Sequence, residues 1–152
     1  MRLVVLGAGE SGVGTAILGK QKGFNVFVSD KGVIAEKYKN VLLNNEISFE
    51  EKNHTESKIF DADVVMKSPG IPDKVSIVIA LKQKGIKVVS EIEFAAKYTK
   101  GTIVGITGSN GKTTTTMLVN HILKKGNLNV GMGGNIGESF AQQVAENNFD
   151  IH

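Results

Sequence analysis

The sequence LVVLGAGESG, at residues 3–12, decides the fold of the chain. Its first four residues are apolar, as in a buried strand, and its glycines predict a tight turn into a helix that ends at Gly23. A second apolar run, 24–29, predicts a strand that ends at Asp30. A strand–helix–strand unit with G-x-G-x-x-G and an acidic residue about 20 positions later is the dinucleotide-binding fingerprint. Taken alone, it favours a nicotinamide or flavin enzyme. The alternative is a structural turn in which Asp30 caps the following segment.

Alternating helices and strands continue from this unit to about residue 98. The patterns predict helices over 34–44 and 75–84 and strands over 63–66 and 87–89, whereas the polar stretch 50–58 has no strong pattern. Ser90, followed by Glu93, predicts a capping box that begins a helix over 91–98. The sequence therefore predicts an α/β protein with a Rossmann-like N-terminal domain.

Both prolines of the chain lie in one loop, 67–72, which follows the strand predicted over 63–66. Proline fixes φ, so this loop is expected to be rigid. Ligands of open α/β sheets bind at the carboxyl ends of strands, where the loop lies. On physical grounds alone, a loop stiffened for stability is the favoured interpretation.

A second glycine-rich stretch, GITGSNGKTT at residues 105–114, follows the apolar run 102–104 and begins a helix predicted over 112–125. Glycines let backbone N–H groups converge on an anion, and a helix N-terminus favours negative charge. Lys112 would reach the β/γ-phosphates of a nucleotide, and the Thr113 hydroxyl would bind Mg²⁺. Four consecutive threonines, 113–116, are poor helix formers, so use of Thr113 and Thr114 explains them better than packing does. The plain P-loop pattern requires glycine where Ile106 stands.

Lys100-Gly101 marks the predicted domain boundary, and the two predicted domains are residues 1–98 and 99–152. The second part is predicted to be the start of a P-loop α/β ATP-binding domain, with Met117, Leu118, Val119 and Ile122 buried by its helix. A short strand at 129–131 precedes a third glycine cluster, 133–137, which is either a structural turn or a second anion-facing loop. After a helix over 138–147, a strand begins at Phe149. We therefore expect the chain to be the front part of a longer protein.

Composition excludes several classes of protein. The net charge of +3 is too small and too dispersed to predict nucleic-acid binding. No apolar stretch is long enough to predict a membrane span, and the absence of cysteine excludes disulfides and thiolate metal sites. The three histidines have no metal-ligand spacing and are interpreted as structural or solvated. We expect a cytoplasmic protein that contacts neither nucleic acid nor membrane.

The motifs in combination resemble the Mur ligase family. That family's ATP loop has the form T-G-x-N-G-K-[ST], which matches residues 107–113 and accounts for Ile106. Further matching segments occur in the expected order across the whole chain: GESG at 9–12, SPGI at 68–71, EIE at 91–93 and GGNIG at 133–137. Within the family, the pattern is most similar to the ligase that adds D-glutamate to UDP-N-acetylmuramoyl-L-alanine.

The resemblance implies two binding sites, with ATP and Mg²⁺ as cofactors. The ATP site would comprise Gly108, Ser109, Asn110, Gly111, Lys112, Thr113, Thr114 and Thr115, with Lys112 and Thr113 in catalytic roles and Thr113 on the metal. The UDP-substrate site would comprise Glu10, Ser11, Gly12, Asp30, Lys31, Ser68, Pro69, Gly70 and Asn135. Family members often place a hydroxyl and a basic residue directly after the position of Asp30, whereas this chain has Lys31 and Gly32.

The family's reaction transfers the γ-phosphoryl group of ATP to the alanine carboxylate, and the amine of D-glutamate then attacks the acyl phosphate. The remaining catalytic residues would follow His152, so we expect this chain, a monomer, to bind UDP-substrate weakly and not to turn over. Three alternatives stay open. One is the family member that adds L-alanine to UDP-N-acetylmuramate, against which Asn110 argues because a histidine is usual there. The others are an NAD-binding module and a generic P-loop NTPase. The NTPase would need an aspartate at a strand end, whereas the only late candidate, Asp150, lies inside a strand pattern.

Overall fold

The computed structural model describes residues 1–134 and 138–152. Its strands are β1 (Arg2–Leu6), β2 (Asn25–Ser29), β3 (Ser48–Glu50), β4 (Val64–Lys67) and β5 (Lys87–Val89). Its helices are α1 (Glu10–Gln21), α2 (Glu36–Asn44), α3 (Glu56–Ile59), α4 (Ser76–Gln83), α5 (Glu91–Ala95), α6 (Lys112–Lys125) and α7 (Phe140–Glu146). The mixed α/β fold class predicted from the sequence is confirmed.

The strands form one parallel sheet in the order β3-β2-β1-β4-β5. Strand β1 is central: Val4 pairs with Phe27 of β2 on one side and with Val65 of β4 on the other. The chain therefore moves outward on one side of β1, returns, and continues on the other side. This reversal opens a crevice at the carboxyl ends of β1 and β4, the usual place for a ligand in an open α/β sheet.

Both faces of the sheet are buried, because alternate residues of a strand point to opposite faces. Leu3 and Val5 of β1 pack in a core with α1, α2, α5 and α7. Val4 and Leu6 pack in a second core with α3 and α4. The resulting three layers, helices on each side of the sheet, fix the position of every loop at the carboxyl edge.

The predicted first unit, the strands at β4 and β5, and the capping box are confirmed. The Ser90 hydroxyl accepts a hydrogen bond from the backbone N–H of Glu93, and the Glu93 carboxylate accepts one from the backbone N–H of Ser90. These hydrogen bonds lower the pKa of Glu93. The helix they begin ends at Ala95, three residues before the predicted end.

The polar stretch 50–58, which has no strong sequence pattern, contains parts of two regular elements. Its first residue ends β3, and its last three residues belong to α3. Ile59, which ends α3, is fully buried in the second core, although most of its neighbours are polar. A single buried contact of this kind has no periodicity, so sequence patterning missed the element.

The predicted core face of α6 is wrong for this chain. Met117, Leu118 and Ile122 are 55–58% exposed, and Val119 is only half-buried. The segment 102–104 is not a strand: Thr102 makes a single parallel bridge to Ile151, which also bridges Val130. Isolated bridges provide no sheet face against which α6 could bury its apolar side chains.

Helix α7 packs against α1, although the sequence places it in the second predicted domain. Phe140 and Ala141 are buried in the same core as Val13 and Ile17 of α1. A Cβ on Gly14 would lie 2.2 Å from the Ser139 hydroxyl oxygen, so only glycine allows this approach. The division at residues 98–99 stays a prediction. Among the described residues, no helix combines the length and apolarity needed to cross a membrane.

Candidate functional site

The turn between β1 and α1 is built on close contacts that require glycine. Gly7 has a φ of +91°, and a Cβ there would lie 2.7 Å from the Ser68 hydroxyl oxygen. A Cβ on Gly12 would lie 1.9 Å from the carbonyl oxygen of Gly7. Gly9, in contrast, is surrounded by open space, and no side chain caps the α1 N-terminus that follows it. The first N–H groups of α1 are therefore left for an external acceptor, as in dinucleotide-binding turns.

Asp30 connects the loops that follow β1 and β2. Its Oδ2 accepts a hydrogen bond of 2.7 Å from the backbone N–H of Ala8, and its Oδ1 accepts one of 2.8 Å from that of Gly32. Asp30 thus fixes the glycine turn. It also caps the segment that follows it, as the structural interpretation of this residue predicts.

The loop after β4 lies against the glycine turn and is braced by Lys67. The Ser68 hydroxyl donates to the carbonyl oxygen of Gly7 at 3.3 Å. Lys67 Nζ donates to the carbonyl oxygen of Ile71 at 2.6 Å and lies 3.7 Å from Asp73. The Ile71 N–H bonds the carbonyl oxygen of Ser68 at 3.0 Å, closing a turn around Pro69 and Gly70. The loop is therefore rigid, as the two prolines predict.

These loops enclose a cavity of about 440 Å³ at the carboxyl edge of the sheet, within the usual size range of small-molecule sites. Its walls come from the ends of β1, β2 and β4, the β3–α3 loop and the start of α4. Among the lining residues are three that the sequence singled out, Asp30, Lys31 and Gly70. Four others do not line it: Ser11 and Gly12 belong to the start of α1, and Ser68 and Pro69 to the loop after β4.

One wall of this cavity, the β3–α3 loop, was missed by sequence reasoning. It contributes Lys52, Asn53, His54 and Glu56. The only signal for it was the alternation of Ile47 and Phe49 with polar residues, which is the pattern of a half-buried strand. A strand there brings the next loop to the carboxyl edge.

A hydrogen-bonded group behind the cavity holds His54 in place. The fully buried Ser29 hydroxyl lies 2.8 Å from Glu50 Oε1 and 2.7 Å from His54 Nδ1. Burial acts to raise the pKa of Glu50, but hydrogen bonds from Thr55 and Ser29 outweigh it, and the pKa lies below its ordinary value. Burial lowers the pKa of His54, against the attraction of Asp30 and Glu50.

Glu10 does not line the cavity. Its carboxylate accepts a hydrogen bond of 3.1 Å from the backbone N–H of Ser139. The Ser139 hydroxyl donates to the buried Glu91 carboxylate at 2.6 Å, and the Ala141 N–H donates to the same oxygen at 3.0 Å. Glu10 and Glu91 therefore anchor the start of α7. Asn135, a predicted substrate contact, lies outside the described residues.

The second glycine-rich loop forms one continuous exposed surface with the start of α6. Residues 108–115 are all exposed. Gly111, at the N-cap of α6, has a φ of +75°. Lys112 Nζ folds back to donate to the carbonyl oxygens of Gly108 and, at 3.3 Å, Ser109. The predicted phosphate-binding residues are thus adjacent, and the lysine bonds only carbonyl groups that a phosphate would replace.

A magnesium ion at this loop would depend on Thr113. The described residues contain no group of three or more His, Cys, Asp or Glu side chains able to hold a metal. Mg²⁺ is commonly held by few protein ligands together with substrate phosphates and water. The exposed Thr113 hydroxyl at the first turn of α6 fits this mode, in which nucleotide phosphates supply most of the oxygens.

Comparison with known proteins matches two family models to the chain. Residues 2–77 match the MurD N-terminal domain, and residues 106–151 match the Mur ligase middle domain. The UDP-N-acetylmuramoylalanine–D-glutamate ligase of Christiangramia forsetii is 63% identical over 98% of the chain. The enzyme of that name from Bacteroides thetaiotaomicron is 55% identical over 99%. The chain spans about a third of the length of these relatives, 34% of each.

Among solved structures, the murein peptide ligase of Psychrobacter arcticus superposes on 98% of the chain with a TM-score of 0.62. The sequence identity is 20%, and the match covers 33% of that protein. This similarity shows the fold. Together with the two matched family models and the high identity of the curated relatives, it shows that the chain belongs to the Mur ligase family.

Proposed function

We propose that the chain supplies the UDP-substrate site and the ATP phosphate loop of a ligase that adds D-glutamate to UDP-N-acetylmuramoyl-L-alanine. The observation that carries this proposal is the pairing of a built cavity at the first glycine turn with a second, exposed phosphate loop. The binding of a nicotinamide cofactor at the first loop would not explain a second phosphate-binding loop. Identity of 63% to a ligase named for this reaction supports the choice of substrate.

In the proposed site, the substrate diphosphate lies at the open N-terminus of α1, next to Gly9. The free N–H groups and the positive end of the helix dipole would bind it. Ser11 carries a hydroxyl on the first turn of α1, and Ser68 keeps the loop after β4 in contact with Gly7. The nucleoside would extend over the end of β2, into the cavity lined by Asp30 and Lys31.

In the proposed reaction, the alanine carboxylate attacks the γ-phosphorus of ATP and forms an acyl phosphate with release of ADP. The amine of D-glutamate then attacks the acyl carbon, giving an amide and phosphate. Lys112 would leave the carbonyl groups of Gly108 and Ser109 to bind the transferring phosphoryl oxygens. Mg²⁺ held by Thr113 and the phosphates would neutralise further charge. These contributions are positioning and electrostatic stabilisation.

We infer that this reaction belongs to cytoplasmic peptidoglycan precursor synthesis. The substrates would be UDP-N-acetylmuramoyl-L-alanine, ATP and D-glutamate. We further propose that the protein acts as a monomer. Because the chain spans about a third of its relatives, turnover is assigned to the whole protein, and the chain alone is assigned binding.

Isothermal titration of the chain with UDP-N-acetylmuramoyl-L-alanine and with NADH tests the proposal. We expect saturable binding of the UDP compound and no competition by NADH. Tight NADH binding that the UDP compound does not displace would contradict it. D-glutamate-dependent phosphate release by the 152-residue chain alone would contradict the assignment of turnover to the whole protein.

A further inference from the structure

The cavity at the carboxyl edge of the sheet is lined by an apolar group and a polar group of residues. The apolar wall consists of Ile71, Pro72, Val75 and Ile77. Lys67 and the two prolines hold it rigid. A flat heterocycle can bury its faces against such a surface, while a few polar groups of the lining bind its polar edge.

The polar wall is fixed to the end of β2 by backbone hydrogen bonds. The N–H of Lys52 donates to the carbonyl oxygen of Gly32 at 2.8 Å, and the N–H of Asn53 donates to that of Asp30 at 3.4 Å. Lys52 has a φ of +61°, a left-handed conformation that turns the chain toward the cavity. His54 follows directly, so its backbone position is defined by the strand end that a nucleoside would approach.

The hydrogen bonds of Ser29 determine the tautomer of His54. A hydroxyl has one proton, and the Glu50 carboxylate can only accept, so Ser29 donates to Glu50. The same hydroxyl oxygen must then accept the hydrogen bond from His54, and Nδ1 must carry the proton. In neutral imidazole the other nitrogen, Nε2, is then an acceptor. Nε2 has no hydrogen-bond partner among the described residues.

Other side chains of the cavity lining also carry acceptor oxygens, among them Asp30, Asn53 and Glu56. Each carboxylate oxygen of Asp30 accepts a backbone N–H. Lys31 and Lys52, which also line the cavity, can only donate. His54 Nε2 is therefore an acceptor without a partner among the described residues, on a cavity lining that also carries the cationic donors Lys31 and Lys52.

This pattern is complementary to the edge of uracil, in which the N3–H donor lies between two carbonyl acceptors. We propose that His54 selects uracil, its Nε2 accepting a hydrogen bond from the uracil N3–H while the lysines on the rim approach the carbonyl oxygens. Cytosine has an unprotonated N3, which would face Nε2 as acceptor against acceptor. The inference rests on the proposed function, because it assumes that a UDP group occupies this cavity.

Titration of the chain with UDP and CDP tests the proposal. We expect wild-type protein to prefer UDP by about tenfold, the effect of one well-placed hydrogen bond. His54→Phe keeps a ring but removes the acceptor, and we expect it to bind both nucleotides equally. His121→Phe, on exposed α6 and outside the cavity, is the matched control and should keep the preference.

A ligand change gives the same information without a mutation that could disturb Ser29. Methylation of uracil at N3 removes the donor, so wild-type protein should bind 3-methyl-UDP about tenfold more weakly than UDP. His54→Phe should lose most of this difference.

The outcomes separate this inference from the proposed function. If wild-type protein binds none of the UDP compounds, including UDP-N-acetylmuramoyl-L-alanine, the proposed function fails and this inference fails with it. If UDP binds but CDP and 3-methyl-UDP bind equally well, or if His54→Phe keeps the preference for UDP, only the role of His54 is overturned.

Discussion

The two glycine-rich loops of the chain differ in how the rest of the molecule supports them. The first is fixed by Asp30 and Ser68, whose side chains bond its backbone. The second is exposed over residues 108–115, and Lys112 bonds only its own loop. The first loop is therefore part of the core's geometry, whereas the second can change conformation at little cost. Changes at the close contacts of the first loop should alter stability, and changes at the second should alter ligand binding alone.

The largest effect is expected at Gly12. In Gly12→Ala the new Cβ would lie 1.9 Å from the Gly7 carbonyl oxygen, so α1 must move away from the turn. We expect a loss of about 3 kcal/mol or more in the free energy of unfolding, measured by urea denaturation.

Gly9→Ala, in the same turn, is the matched control. Its Cβ would meet nothing within 4 Å, and its φ is −80°. We expect near wild-type stability but weaker binding of UDP-substrate, because the methyl group would face the diphosphate. Equal stability of the two variants would show that the turn is not held as described.

Lys112→Ala tests the second loop. We expect ATP affinity to fall at least about tenfold, since a charge-assisted contact to phosphate is lost. Thermal stability should not change, because Lys112 bonds only exposed carbonyl groups. Lys125→Ala, in the last turn of the same helix, should change neither property. A stability loss in Lys112→Ala would show that the two loops are supported alike.

The contact between α7 and the N-terminal sheet region is tested at Glu91. Its buried carboxylate accepts hydrogen bonds from Ser139 and Ala141 at the start of α7. Glu91→Gln replaces one acceptor oxygen by a donor, and we expect a cost of about 1–2 kcal/mol in the free energy of unfolding. Glu146→Gln, on the exposed end of α7, should be neutral. No loss in Glu91→Gln would mean that the charge of Glu91 adds nothing to the anchoring of α7.

The smallest effect is a pH dependence from His54. Burial lowers its folded-state pKa below the ordinary 6.5, so the unfolded chain takes up the proton first. Neutral His54 therefore contributes stability above about pH 6.5 that is lost as the pH falls through its folded-state pKa. The free energy of unfolding of wild type, relative to His54→Phe, should be lower at about pH 5.5 than at about pH 7.5. His152, whose pKa burial also lowers, is common to both proteins and cancels. A difference of the opposite sign would contradict the buried environment of His54.

Most of the parallel sheet could be predicted, because its longer strands are continuous apolar runs and its turns are marked by glycine. Residues 3–12 alone identified β1, the turn and α1. The β3–α3 wall of the cavity could not be predicted, because β3 is only three residues long. The loop after β3 is positioned by hydrogen bonds with residues that are distant in sequence. The structural environment of His54 depends on Ser29, 25 positions away, and no local pattern records such a contact.

The second loop shows a different limit of prediction from the sequence. Its motif was recognised from spacing, yet the burial of α6 was predicted wrongly, because an amphipathic pattern does not say whether a partner surface is present. Leu118 and Ile122 have the spacing of a core face but lie exposed. Motif and packing are therefore separate inferences, and here only the motif could be made from local sequence.

The most direct test of the account is a crystal structure of the chain with UDP-N-acetylmuramoyl-L-alanine. We predict the diphosphate at the N-terminus of α1 beside Gly9, and the uracil between Pro72 and His54. Density for the UDP group at the second loop, or at a site away from the carboxyl edge of the sheet, would contradict it.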